Sequence, residues 1–212
     1  MLESSAEMGM VHSDCAVIND NNGTVKHFVN RDSSRNASAN DNWYDTILSY
    51  YKRDLQIRTV TVLIRTQLLK DVMDSDPFLF DGHLMLGDTP VWIGCLLKRK
   101  TIGYIDEETA VYRVHNGSMT HTNSYKHKLA FAISRFEIGL YYKRKYGILS
   151  EFPRIEKTYY LYVRIYRFLF DPRFKDIDGS AREPRTILRV LSKSKLMRTI
   201  LSGAINVKHR IA

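Results

Sequence analysis

The chain has 212 residues, enough for one domain with an appended segment, and its 44% hydrophobic content excludes wholesale disorder. The first ten residues carry no basic group, and no apolar run reaches the roughly 18 residues that cross a bilayer, so we predict neither a secretory signal nor a transmembrane helix. The net charge of +9 is uneven, because residues 1–121 hold 12 Lys and Arg against 16 Asp and Glu, whereas residues 122–212 hold 20 against 7. We therefore expect two functional zones.

Periodicity, turn residues and β-branched content predict an alternation of strands and helices in residues 1–121. In chain order we expect a buried strand at 10–18, a turn at 19–23, a return strand at 24–30, a surface loop at 30–42, a helix at 42–53, a buried strand at 59–65, a short helix at 66–73, a helix at 87–100, and short strands at 103–105 and 109–114. The acidic residues 106–108 between the last two strands predict a solvated turn. The pattern indicates an α/β fold.

Residues 122–212 predict helices instead. A helical face runs through 125–146 and should end at Gly147, because glycine is the preferred residue after a helix end. A second helix is expected at 155–170, with six aromatic residues, and a third from Pro184 to about Leu201. The two cysteines, Cys15 and Cys95, have no spacing typical of disulfides or zinc, so we expect buried free thiols in a reducing cytoplasm.

Two residues could carry chemistry. Asp88 stands at the start of a predicted helix, where the dipole favours an ionised carboxylate that could accept a proton from a hydroxyl. His115 follows a predicted strand end and could contact a metal or phosphate. A plain helix cap and a surface histidine remain the alternative interpretations of these two residues. The other histidines show no metal-ligand spacing.

The motifs Gly87-Asp-Thr-Pro-Val-Trp92, Lys100-Thr-Ile-Gly-Tyr104 and Ala110-Val-Tyr-Arg-Val-His115, with Ser118, resemble the second half of bacterial family 2 glycosyltransferases. Residues 7–14 and 59–65 are similar to two upstream segments of that family, so the resemblance spans roughly residues 1–121. It implies a partial GT-A (Rossmann-like) fold with a C-terminal helical extension from residue 122 onward.

The resemblance also implies roles. Asp88 would be the general base that deprotonates the acceptor, and His115 would contact a divalent metal (Mn or Mg) or the diphosphate of a nucleotide-sugar. His83, Gly87 and Trp92 become acceptor-side candidates, although packing is the favoured role for Trp92. The implied partners are a nucleotide-sugar donor and a glycan or lipid-linked acceptor of the cell envelope.

The family's first half, with its Asp-x-Asp metal motif, has no counterpart in this sequence. We therefore expect a chain that begins in mid-domain, and three interpretations stay open: a truncated enzyme, a catalytically inactive remnant, or one half of a two-chain enzyme. A tendency to self-associate, or a partner chain that supplies the missing half, would follow from exposed sheet faces.

The basic, aromatic C-terminal part could lie on an anionic membrane surface, which would make the protein cytoplasmic and peripheral at the inner face of the plasma membrane. It could equally be a helical extension packed on the catalytic domain with a solvated basic face. Charge alone also suggests nucleic acid as a partner, but no recognisable nucleic-acid motif is present, and we expect none to bind.

Overall fold

The computed structural model of the protein describes residues 2–38, 42–52, 54–98, 101–115 and 124–179. The chain divides into two compact units, unit 1 from Met1 to His121 and unit 2 from Thr122 to Ala212. The boundary coincides with the change from net acidic to net basic composition.

Unit 1 is a mixed α/β structure around a four-stranded sheet. Its central strand, β1 (Met8–Asn19), pairs in antiparallel fashion with β2 (Thr24–Lys26) near one end and with β3 (Leu63–Ile64) near the other. Along its second edge β1 pairs in parallel with β4 (Thr101–Val114), from Met8 opposite Thr101 to Asn19 opposite Val114. The carboxyl ends of β1 and β4 therefore lie side by side.

The predicted pair of short strands around an acidic turn is wrong, because β4 runs without a break through Asp106, Glu107 and Glu108. The pairing register between β1 and β4 explains how the strand continues through the acidic residues. Ser13 lies opposite Ile105, but the next residue of β1, Asp14, lies opposite Glu108, so two extra residues of β4 are taken up in a bulge. Asp106 and Glu108 also have partners from earlier in the chain and are not merely solvated.

The predicted surface loop at 30–42 is wrong for its first part, which forms helix α1 (Arg31–Ser38). Arg31 donates from Nε to Oδ1 of Asp106 at 2.8 Å, and Arg35 donates to the other carboxylate oxygen. Because the two arginines are one helical turn apart, the same carboxylate can hold both. These ion pairs lower the pKa of Asp106, chiefly through the Arg35 hydrogen bond.

The remaining elements of unit 1 are mostly helical. They are α2 (Trp43–Lys52), a 3-10 turn at Thr59–Thr61, α3 (Thr66–Ser75), a 3-10 turn at Pro77–Phe80, and α4 (Thr89–Leu97). The predicted buried strand at 59–65 is thus reduced to β3, because Thr61 donates from both N and Oγ1 to the carbonyl of Arg58 and closes a local turn instead.

The core of unit 1 lies between α4 and the sheet. Trp92 packs with Met10, Leu55 and Ile57, and Cys95 packs with Leu68 and Val72 of α3. Both cysteines are buried and free, as expected. Burial raises the pKa of the Cys95 thiol to about 12, so this thiol behaves as a small apolar side chain.

Unit 2 contains α5 (Tyr125–Tyr146) and α6 (Ile155–Leu169), both close to their predicted bounds. Ser124 caps α5 by accepting from the amide of His127, and Gly147 ends it in the left-handed conformation at φ 67°. Phe136 contacts Tyr162, whereas Arg144 contacts Glu156, so the helices run antiparallel. Among the described residues no helix is long and apolar enough to span a membrane. The predicted third helix lies outside them.

Candidate functional site

Asp88 lies immediately before α4, at the position of its N-cap, and is partly exposed. Its side chain makes no capping hydrogen bond to the helix amides. Instead, Oδ2 accepts a hydrogen bond from Thr59 Oγ1 at 3.0 Å, and Oδ1 lies 3.5 Å from Thr89 Oγ1. The carboxylate is therefore held in place by the side chain of a residue 29 positions earlier, and the plain-cap interpretation does not describe it.

A short chain of contacts connects Asp88 with the end of β4. Thr59 follows Arg58, whose guanidinium lies over the ring of Tyr112 with Cζ 4.6 Å from the ring centroid. Tyr112 pairs with Val17 at the carboxyl ends of the two parallel strands. On the other side of Asp88, Thr89 Oγ1 lies 3.2 Å from the hydroxyl of Tyr50. Thr59 and Arg58 thus join the base candidate to the sheet edge.

An open cleft of about 680 Å³ lies at this edge, and we call it the Arg58 cleft. Its lining residues all belong to unit 1: Val17, Lys26, His27, Val29, Asn30, Gln56 and Arg58. Nε of Arg58 is buried and has no hydrogen-bond partner among the described residues. The cleft therefore contains positive charge, and one N–H of Arg58 is not used for hydrogen bonding by the residues that the structure describes.

The carboxylates around the Arg58 cleft are already engaged. Glu108 accepts from His27 Nδ1 at 2.9 Å and from the amide of Phe28 at 2.5 Å, and the His27 hydrogen bond lowers its pKa. Asp14 is fully buried and accepts from the amide of Cys15 at 2.8 Å, from the amide of Asn30 at 3.2 Å, and from the Tyr104 hydroxyl at 3.3 Å. Neither carboxylate forms an ion pair with Arg58.

Two further groups near Asp14 have shifted pKa values. Burial, reinforced by Asp14, raises the pKa of Tyr104 to about 12, so its hydroxyl stays protonated and able to donate. Burial also lowers the pKa of His12 to about 4, and its Nδ1 has no partner among the described residues. His12 is 2% exposed and contacts the ring of Tyr104, so it is a neutral core residue.

His115 is exposed and follows the last residue of β4. Among the described residues there is no group of three or more His, Cys, Asp or Glu side chains that could hold a metal ion. His115 by itself does not make a metal site, so the divalent metal implied by the resemblance stays a prediction. We derive no chemical step through a metal.

The acceptor-side candidates differ in their surroundings. His83 hydrogen-bonds to Asp81 through Nδ1 and lies against the ring of Phe78, on the exposed loop before α4. Gly87 has no positive φ, and a Cβ added there would meet no atom within 4 Å. Trp92 is 4% exposed in the core, which is the packing role favoured by the sequence, and it offers no ring face to a sugar.

Sequence reasoning missed Lys26, Arg58 and Thr59 as site residues. Thr59 was absorbed into a predicted strand, and nothing in the spacing marks Arg58 as different from other arginines. Only the position of the turn at 59–61, which faces both Asp88 and Tyr112, brings them to the site.

No protein-family model matches this chain, and neither the curated proteins nor the solved structures include a significant match.

Proposed function

We propose that the protein is a glycosyltransferase of the GT-A, family 2-like type that acts on a glycan or lipid-linked acceptor. The observation that carries the proposal is the carboxylate of Asp88, which stands at a helix N-terminus, is not used for capping, and is fixed by Thr59. A partly exposed, positioned carboxylate suits a general base. The side-by-side carboxyl ends of β1 and β4 support the same type of fold.

In the proposed reaction Asp88 takes the proton from an acceptor hydroxyl as its oxygen attacks the anomeric carbon of a nucleotide-sugar. The new C–O bond forms as the bond from the anomeric carbon to the phosphate oxygen breaks, and the nucleoside diphosphate leaves with the electron pair. One displacement of this kind inverts the anomeric configuration. The hydrogen bond from Thr59 holds Oδ2, and Oδ1, which lies 3.5 Å from Thr89 Oγ1, is the oxygen that would take the proton of the acceptor.

The test is sugar transfer by the full chain from a panel of nucleotide-sugars with manganese. Asp88→Asn retains an oxygen that accepts from Thr59 but removes the base, and we expect a loss of about 100-fold or more in turnover. Thr59→Val, which keeps shape but not the hydroxyl, should lose less. Asp71→Asn is the matched control, because Asp71 is exposed on α3 and its carboxylate accepts a hydrogen bond from Gln67 of the same helix at 2.8 Å.

A wild-type chain that transfers no sugar from any donor would contradict the proposal, as would equal turnover by wild type and Asp88→Asn. Membrane contact through the basic C-terminal part stays a prediction. Some of the aromatic residues that suggested membrane contact are packed in the interior instead, since Tyr159, Tyr162 and Tyr166 are buried in unit 2.

A further inference from the structure

The Arg58 cleft has two positively charged side chains without an anionic partner among the described residues, Lys26 and Arg58. Lys26 is exposed at the end of β2, whereas Arg58 is partly buried beneath the cleft surface. Arginine with a planar fork and lysine as a mobile point charge are the pair of side chains that recognise phosphate in proteins. The charges therefore fit an anionic ligand.

Arg58 is arranged in advance for such a ligand. Its guanidinium is stacked over Tyr112, and its carbonyl is fixed by two hydrogen bonds from Thr61, each of 2.9 Å. Nε itself is enclosed and makes no hydrogen bond among the described residues, so a ligand in the cleft would meet the exposed part of the Arg58 side chain.

The neighbouring acids do not fill that position. Glu108 is held by His27 and the amide of Phe28, and Asp14 is held by two backbone amides and Tyr104. The charge of Arg58 nevertheless reaches the interior, where it opposes the burial that raises the pKa of the Cys15 thiol. Arg58 is therefore close to these groups and yet forms no ion pair with any residue that the structure describes.

We propose that the Arg58 cleft binds a phosphate monoester group, with Arg58 as its main contact and Lys26 as a second charge. Assigning that phosphate to the acceptor rests on the proposed function. Thr59 positions the base candidate Asp88, and Arg58 is its immediate neighbour, so a phosphate held by Arg58 would bring its attached sugar beside Asp88. The acceptor would then be a phosphorylated sugar or glycan.

The first experiment titrates the full wild-type chain with inorganic phosphate at low ionic strength and follows the arginine Nε–Hε signals by NMR. We expect a saturable shift of the Arg58 signal, because an anion bound to the guanidinium changes the electronic surroundings of its Nε–Hε group. This measurement needs no variant, so a misfolded mutant cannot obscure it. Absence of a saturable shift at Arg58 would overturn the site.

Variants then test which charges matter. Arg58→Met should weaken phosphate binding at least about tenfold, and Lys26→Met about threefold, because a fixed guanidinium contributes more than a mobile ammonium. The matched control is Arg113→Met, which removes the same charge from an exposed residue of β4 that is paired with Asp20. An equal loss in Arg113→Met would show general electrostatic attraction and overturn the proposal.

Comparison of glucose 1-phosphate with UDP identifies the source of the phosphate. Tighter binding of the sugar phosphate, lost in Arg58→Met, supports an acceptor group. Tighter binding of UDP through Arg58 overturns that assignment. Asp88→Asn should leave phosphate binding within about twofold of wild type, because Asp88 adds no hydrogen bond to the anion. Failure of sugar transfer with retained phosphate binding would therefore count against the proposed function and not against the site.

Discussion

Units 1 and 2 each contain an arginine with buried atoms, and they use it in opposite ways. In unit 2, Arg167 donates from Nη2 to Asp176 at 3.1 Å and from Nε to the carbonyl of Phe174 at 2.7 Å, with side chains only 6% and 7% exposed in the ion pair. In unit 1, Arg58 has a buried Nε that donates to no group among the described residues. In unit 2 the charge of Arg167 is paired inside the fold, whereas in unit 1 the charge of Arg58 faces a cleft.

The tyrosines show the same contrast. Tyr159 and Tyr162 are buried in unit 2, and the hydroxyl of Tyr159 accepts from the amide of Ile177 at 2.6 Å. In unit 1, the ring of Tyr112 lies against the guanidinium of Arg58, whose Nε has no hydrogen-bond partner within the described part of the chain. A sequence dense in basic and aromatic residues therefore does not by itself mark a binding surface. What matters is whether each charged group finds its partner inside the fold.

The largest expected effect is on stability, and it separates the substitution of Arg167 in unit 2 from that of Arg58 in unit 1. Arg167→Met leaves the buried carboxylate of Asp176 without its cation, and we expect a loss of about 3–5 kcal/mol in the free energy of unfolding of unit 2. Arg58→Met should change the stability of unit 1 by less than about 1 kcal/mol, because an unpartnered donor is replaced by an apolar group of similar length.

Urea unfolding separates these outcomes. Both tryptophans, Trp43 and Trp92, lie in unit 1, so their fluorescence reports on that unit, whereas far-UV circular dichroism also follows the helices of unit 2. Arg144→Met is a further control, since that arginine is 41% exposed in its ion pairs and such pairs contribute little. Equal losses in Arg58→Met and Arg167→Met would remove the contrast between the units.

Acid should destabilise unit 1 through His12. Burial lowers the pKa of His12 from 6.5 to about 4, so the folded state favours the neutral ring and the unfolded state binds the proton more tightly. This contribution to stability is complete above pH 6.5 and is lost as the pH falls from 6.5 towards 4, by about 3 kcal/mol in total. Tryptophan fluorescence during urea unfolding at several pH values measures it.

Two matched substitutions each replace a histidine ring by a phenyl ring that does not titrate. His12→Phe removes the titrating group but keeps an aromatic ring beside Tyr104, so the loss of stability between pH 6.5 and 4 should shrink. His127→Phe, at an exposed position on α5, should keep the wild-type pH dependence. An unchanged acid response in His12→Phe would mean that another group of unit 1 causes it.

The sequence predicted those elements whose signals are local. α5 was placed correctly because its apolar face and its stop at Gly147 lie within the helix or beside it. α1 was missed because its stabilising partner, Asp106, lies about 70 residues away, and the break expected in β4 was wrong because a bulge against β1 depends on the pairing register. Long-range partners of this kind leave no periodicity in the chain.

The candidate site was predictable to the same extent. Asp88 was found from its place before a helix, but its hydrogen bond with Thr59 and the neighbouring Arg58 cleft depend on how a turn 29 residues earlier folds against α4. Trp92 illustrates the converse, because a motif residue that could have faced an acceptor is a core residue instead. The sequence therefore identified the base candidate and missed the residues that position it.

The smallest expected effect concerns two glycines that the sequence singled out, Gly147 as a helix stop and Gly87 in the Gly-Asp step. Gly147 has φ 67°, and a Cβ there would meet no atom within 4 Å, so Gly147→Ala should cost about 1 kcal/mol through backbone strain alone. Gly147→Asn should cost less, because asparagine tolerates this conformation. Gly87 has neither a positive φ nor a close neighbour, so Gly87→Ala should stay within about 0.5 kcal/mol of wild type in urea unfolding. If Gly87→Ala instead matches Gly147→Ala, then the Gly-Asp step in unit 1 is a folding feature, and its value as a site motif falls.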